Sequence, residues 1–145
     1  MTLRNVGMLT AAVSLLALTG CASMMSTESE KVLYHLNLGN EQSSDAIRNI
    51  QNHLEVDPKT KIVVVTHSKG VDFLMEGAED KDGNPYSIPV DKLAAKGVEF
   101  RVCEITLKRR KLDKAKFSPV VKYVPSGVQE VGRLQVREGY AYLKP

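Results

Sequence analysis

The chain changes its hydrophobic period several times, and each change marks an element. Val32 to Leu36 is a largely apolar stretch, and Ile62-Val63-Val64-Val65 is an unbroken β-branched run. Runs of that kind indicate strands covered on both faces, as in parallel sheets. Between them Ile47, Ile50 and Leu54 recur at helical spacing, with Ser43 or Ser44 as the cap and Pro58 beyond the end. A short helix is expected after Ser68, carrying Val71 and Leu74. Val90, Leu93 and Ala94 mark another, closed by Gly97 at a position suited to left-handed backbone. Val98 to Cys103 forms a third strand and Val120 to Val124 a fourth. Ser126 to Gln129 matches the S-x-x-Q capping box, opening a helix with Val128, Val131 and Leu134. Gly139 ends that helix, and Tyr140 to Leu143 makes the last strand. Strand and helix in alternation predict an α/β fold. Its expected form is a three-layer α/β/α sandwich with a mostly parallel sheet of about five strands and right-handed crossovers.

Strand three breaks the pattern. Val98, Phe100 and Val102 alternate with Glu99, Arg101 and Cys103, so one face is apolar and the other mostly charged. Such a face is either partly solvated or meets a second subunit, with Glu99 and Arg101 pairing across the contact.

The first twenty residues read as an address rather than as fold. Arg4 gives a positive start, and Val6 to Leu18 is apolar without a charge. That run is shorter than the ~20 residues a membrane span requires, so it reads as the core of a secretory signal. Leu18-Thr19-Gly20-Cys21 then resembles the lipobox of bacterial lipoproteins, which implies a Cys21 that is acylated and becomes the mature N-terminus. Each buried CH2 of such chains is worth about 0.8 kcal/mol, so two or three chains anchor firmly in a bilayer. Ala22 rather than Asp after the cysteine implies outer-membrane sorting. The expected organisation is a signal peptide over 1–20, an acylated cysteine and tether over 21–30, and one α/β domain over 31–145. The expected location is the cell envelope, facing the periplasm.

Composition narrows the rest. At 145 residues, 43% hydrophobic and 26% charged, the chain is an ordinary single domain and neither disordered nor collagen-like. Two cysteines permit neither a disulfide scaffold nor a four-cysteine zinc site. The formal net charge of +3 makes no argument for nucleic acid. No G-x-x-x-x-G-K-S/T, G-x-G-x-x-G or H-E-x-x-H occurs, so no cofactor or metal is expected. Asp80-Lys81-Asp82-Gly83-Asn84 looks like the start of an EF-hand loop, but Pro85 stands at the sixth position, where glycine makes the sharp turn. It reads as an ordinary turn. His35, His53 and His67 are scattered too widely to nominate a metal site, and His35 and His53 read as surface or packing residues. Lys108, Arg109, Arg110, Lys111, Lys114 and Lys116, offset by Asp113, form a basic cluster. Such a run is a solvated helix face or a surface for an anion, an acidic partner or a lipid headgroup.

Cys103 carries the candidate chemistry. It ends a predicted strand, where ligands bind in open α/β sheets. A following helix start and the basic cluster, Lys108 nearest, both favour thiolate over thiol. With Cys21 blocked by lipid, Cys103 has no intramolecular disulfide partner. His67 ends strand two at a comparable level and is a candidate base or hydrogen-bond donor. The bland alternative is a cysteine buried as a small hydrophobe.

Val63-Val64-Val65-Thr66-His67-Ser68-Lys69-Gly70-Val71 resembles the second-strand segment of the DsrE/DsrF-like (YchN-like, TusBCD-related) proteins. Lys96-Gly97-Val98-Glu99-Phe100-Arg101-Val102-Cys103, followed by Thr106-Leu107, is similar to the stretch carrying their characteristic cysteine. Val124-Pro125-Ser126-Gly127-Val128, Leu134-Gln135 and Gly139-Tyr140-Ala141-Tyr142-Leu143-Lys144-Pro145 resemble their C-terminal half. The resemblance implies a compact subunit that assembles into trimers or hexamers and carries sulfur as a persulfide on the matching cysteine. On this chain Cys103 would be the acceptor in a sulfurtransferase-like relay, exchanging with donor and acceptor proteins. His67 would be its catalytic neighbour, and Asn37, Thr106 and Lys108 would line the pocket. Two other functions fit the same residues: a non-catalytic lipoprotein binding an anion or partner, and a structural oligomer of the envelope.

Overall fold

The computed structural model describes residues 29–145, so the signal segment and Cys21 lie outside the described residues. Five strands, β1 (Lys31–Leu36), β2 (Lys61–Thr66), β3 (Glu99–Cys103), β4 (Val121–Val124) and β5 (Ala141–Leu143), form one sheet in the order β4-β3-β2-β1-β5. Every pairing is parallel. The helices are α1 (Asn40–Val56), α2 (Ser87–Ala95), α3 (Glu104–Arg110) and α4 (Gly127–Glu138), with 3-10 turns at Ser68–Leu74 and Lys114–Lys116.

From β1 to β4 each strand is laid beside its predecessor in one direction, and the last connection returns across the sheet to place β5 beside β1. With right-handed crossovers, that reversal sends α4 to the opposite face from the other helices. The two cores show it. On one face Tyr34, Leu36, Val64, Phe100 and Val102 pack with Ile47, Ile50 and Leu54 of α1, with Leu74, and with Leu93 and Leu107 of α2 and α3. On the other, Leu33, Val63 and Val65 meet Leu134 of α4, flanked by Val131 and Tyr140. Three layers are therefore present, one thick and one thin. β2 lies in the middle of the sheet, and five of its six residues are buried, as its apolar run requires.

Two expectations need correction. Neither Ser43 nor Ser44 caps α1; the helix starts at Asn40 after Gly39, and no side chain caps it. The Gln42 carboxamide accepts from the amides of Asn37 and Leu38 at 2.9 and 2.8 Å, which satisfies the strand-exit loop and lets the helix begin earlier. The charged face of β3 does not keep its ions for another subunit. Arg101 bonds Glu99 at 2.8 Å and also Glu130 of α4, and Arg133 reaches Glu130 at 2.7 Å. The ions are satisfied within the subunit because α4 lies over that face.

Other details follow the pattern. Gly97 adopts φ 93° after α2 and Gly139 φ 71° after α4, both left-handed. Ser126 accepts from the Gln129 amide, forming one arm of the expected capping box. Asp80 Oδ1 accepts from the amides of Asp82 and Asn84, both at 2.9 Å, closing a turn stapled by Asp80's own carboxylate.

Candidate functional site

Parallel strands deliver all their carboxyl ends to one rim, and the chemistry-bearing residues collect there. Cys103 ends β3 and stands at the N-cap of α3. Its residue is only 4% exposed. Burial pushes the thiol pKa up; the Gly127 amide, the Thr106 hydroxyl and the amides of Thr106 and Ile105 outweigh it, leaving the thiol below its ordinary range. Cys103 makes no side-chain capping bond to α3. The dipoles of these groups favour the thiolate over the thiol. The Ile105 amide is shared with the Pro125 carbonyl at 3.3 Å. The sulfur lies between the start of α3 and the start of α4, whose twelve residues add an aligned backbone dipole.

Gly127 allows this approach. A Cβ there would lie 3.2 Å from Cys103 Cβ, 3.2 Å from His67 Cβ and 3.3 Å from the Thr66 carbonyl. The bare backbone at the head of α4 is therefore wedged between the cysteine and the histidine, as only glycine permits without displacement. Gly70 makes a tighter approach: a Cβ would lie 2.3 Å from the Leu36 carbonyl oxygen, so the 3-10 turn is pressed onto the end of β1.

Ser68 links the parts. Its φ of 54° is left-handed backbone, uncommon for a residue with a side chain. In that conformation its amide donates to Thr106 Oγ1 at 3.0 Å. Its hydroxyl bonds His67 Nδ1 at 3.0 Å, and its carbonyl accepts from Arg110 at 2.8 Å.

His67 in turn meets His35. Their Nε2 atoms are 2.8 Å apart, and His35 Nδ1 bonds the Tyr142 hydroxyl at 2.8 Å. Burial, then His67 and Lys144, push the His35 pKa down to about 4; burial and Lys144 lower that of His67. Both rings are neutral at neutral pH.

The expected site residues therefore divide. Cys103, His67 and Thr106 come together. Lys108 is exposed on α3, and no described contact joins it to the sulfur. Three cations of the cluster are engaged with carboxylates: Arg110 with Asp72 at 2.6 Å, Lys114 with Glu104, and Lys116 with Glu76 at 3.7 Å. The acidifying groups are backbone and hydroxyl dipoles rather than the basic cluster. Asn37 ends at the same rim off β1, two strands from Cys103, and its Oδ1 is buried without a partner among the described residues. The parallel register sets His35 opposite Val65 and on the same face as His67, where its ring packs against those of His67 and Tyr142. Sequence reasoning passed over Ser68, Gly127 and Tyr142 as site residues. Among the described residues no group of three or more His, Cys, Asp or Glu could hold a metal ion.

Comparison with known proteins agrees with this architecture. No curated protein matches the sequence. The solved structure of a protein of unknown function, MTH1491 from Methanobacterium thermoautotrophicum, matches at 30% identity and TM-score 0.71, covering 81% of this chain and all of that one. The ychN protein from E. coli matches at 14% identity and TM-score 0.67, covering 80% of this chain and 99% of that one, a likeness of fold. The family model for DsrE/DsrF-like proteins matches residues 18–145. The chain belongs to the DsrE/DsrF-like family.

Proposed function

We propose that this protein is a lipid-anchored envelope protein that carries sulfur as a persulfide on Cys103. The observation supporting this is the place of Cys103 at the N-cap of α3, against the Gly127 head of α4, where the backbone amides and the Thr106 hydroxyl lower the thiol pKa despite burial. The thiolate is the nucleophile in sulfur exchange, and a low-pKa thiol is also the better leaving group when the sulfur is handed on. In the receiving step the Cys103 thiolate attacks the outer sulfur of a donor persulfide, R–S–SH. The donor S–S bond breaks and its electron pair stays on R–S⁻. A new S–S bond leaves Cys103–S–SH. One S–S bond replaces another, so no external oxidant or reductant is consumed.

The topology suits an anchor at Cys21. β1 begins at Lys31, at the amino edge of the sheet, whereas Cys103 lies at the carboxyl edge. Chain that enters β1 at Lys31 therefore arrives at the edge opposite the sulfur. No described helix is long and apolar enough to cross a membrane. Exposed Ile105 and Val128 adjoin Cys103 and Gly127, where another copy in a trimer or hexamer, or a relay protein, would meet the rim.

Mass spectrometry after exposure to glutathione persulfide tests the chemistry. We expect a gain of one sulfur atom on the native protein that disappears in Cys103→Ser. A wild-type protein that stays unmodified while a control thiol is converted would overturn it. Palmitate labelling lost in Cys21→Ser tests the anchor.

A further inference from the structure

We propose that Tyr142, His35, His67 and Ser68 form a proton relay between solvent and the Cys103 site. This inference rests on the sulfur-carrier reading and assigns its proton path. The four side chains form one continuous chain of contacts: Tyr142 hydroxyl to His35 Nδ1 at 2.8 Å, His35 Nε2 to His67 Nε2 at 2.8 Å, and His67 Nδ1 to Ser68 Oγ at 3.0 Å. Its outer end is open, since Tyr142 is 40% exposed. Its inner end lies beside the cysteine: the Ser68 backbone amide donates to Thr106 Oγ1 at 3.0 Å, and a Cβ at Gly127 would lie 3.2 Å from both His67 Cβ and Cys103 Cβ.

Two neutral imidazoles facing each other through Nε2 must hold opposite tautomers, since one must donate and the other accept. The chain then has two self-consistent states. In the first, Ser68 donates to His67 Nδ1, His67 Nε2–H donates to His35, and His35 Nδ1–H donates to Tyr142. In the second every donor and acceptor is exchanged. A proton reaching His67 Nδ1 in the first state releases the Nε2 proton to His35. His35 passes its Nδ1 proton to the Tyr142 oxygen, and the tyrosine releases its own proton to water. One proton has left the site, and the chain stands in its second state. A proton taken in at Tyr142 runs the same steps backward.

Sulfur exchange requires both movements. The Cys103 thiol must lose its proton before attack, and the departing R–S⁻ must gain one. Outward transfer sets the chain and inward transfer resets it, so one complete exchange returns both rings to their starting tautomers. The groups facing the imidazole pair are consistent with a neutral wire. Lys144 next to β5 disfavours an imidazolium on either ring, and His67 opposes charge on His35. The residues act through Ser68 and the incoming molecule, so His35 and Tyr142 are positioning residues.

The relay is tested by sulfur uptake from glutathione persulfide in weak and strong buffer, with His35→Asn and Tyr142→Phe. In weak buffer His35→Asn should slow uptake by about 10²-fold, the lower end of what positioned proton transfer contributes. Tyr142→Phe should slow it less, because solvent reaches His35 directly. Added imidazole should restore both, while the pH dependence of Cys103 alkylation stays as in wild type. Variants that take up sulfur at the wild-type rate in weak buffer overturn the relay and leave the carrier reading intact. A wild-type protein that takes up none overturns the carrier reading itself. Independently, nitrogen chemical shifts should show one ring protonated at Nε2 and the other at Nδ1; matching tautomers on the two rings contradict the relay.

Discussion

The amide of Ser68 donates to Thr106 Oγ1 at 3.0 Å, and Thr106 in turn lowers the pKa of the Cys103 thiol. With one lone pair of the threonine oxygen occupied by that amide, the hydroxyl is held on the side of the site where it favours the thiolate. The left-handed backbone of Ser68, φ 54°, is what aims that amide. Thr106→Val keeps the shape but removes both roles. A hydrogen bond to a charged group is worth about 1.5–3 kcal/mol, so the Cys103 pKa should rise by about one unit or more. The Ser68 amide is left without its acceptor, so stability should fall by about 1–3 kcal/mol. Thiolate absorbance titration and chemical denaturation read the two effects separately.

Gly127→Ala places a methyl group 3.2 Å from both Cys103 and His67. The helix head must give by a few tenths of an ångström. The amide that stabilises the thiolate retreats with it, so alkylation of Cys103 near neutral pH should slow several-fold. Little loss of global stability should accompany it, because Leu134 keeps α4 anchored on the sheet. The pair of measurements is the alkylation rate and the denaturation midpoint.

The histidine pair makes stability depend on acid. His35 is pushed down to about 4 and His67 is lowered as well, so the unfolded chain binds protons that the native state refuses. Stability from these rings is fully present above the unfolded value of about 6.5 and is lost as pH falls from there toward 4. His35→Asn should flatten that part of the stability curve. Thermal unfolding followed from pH 7 to pH 4 checks it, and an equal slope in the variant contradicts the assignment.

Arg101→Met tests how the charged face of β3 is satisfied. Glu130 is 5% exposed and would keep Arg133 as its remaining partner. Removal of one member of a buried pair costs about 3–5 kcal/mol, and the surviving contact puts the expected loss near the lower figure. Because the pairing is within the subunit, the oligomeric state should stay unchanged by sedimentation. A shift in assembly without loss of stability would assign the face to a subunit contact.

The fold was legible because β2 and its neighbours carry long apolar runs that only a covered parallel sheet accommodates. Cys103 was legible for the same reason: a strand end is a predictable place. The histidine pair was not. His35 and His67 are 32 residues apart and Tyr142 another 107 from His35, and only the parallel register of β1 with β2 and β5 brings them to one face. Nor does any local pattern announce the backbone of Ser68. The ion pairs of the basic cluster were hidden for a complementary reason. Its charge is plain in the sequence, but its acidic partners at Asp72, Glu76 and Glu104 come from other segments and the head of α3.

The most direct measurement is the alkylation rate of native Cys103 as a function of pH. A thiolate stabilised by Gly127, Thr106 and Ile105 predicts reaction of the folded protein with a midpoint below the ordinary thiol value of about 8.5. A midpoint at or above that value, or a thiol that reacts only after unfolding, would contradict the account.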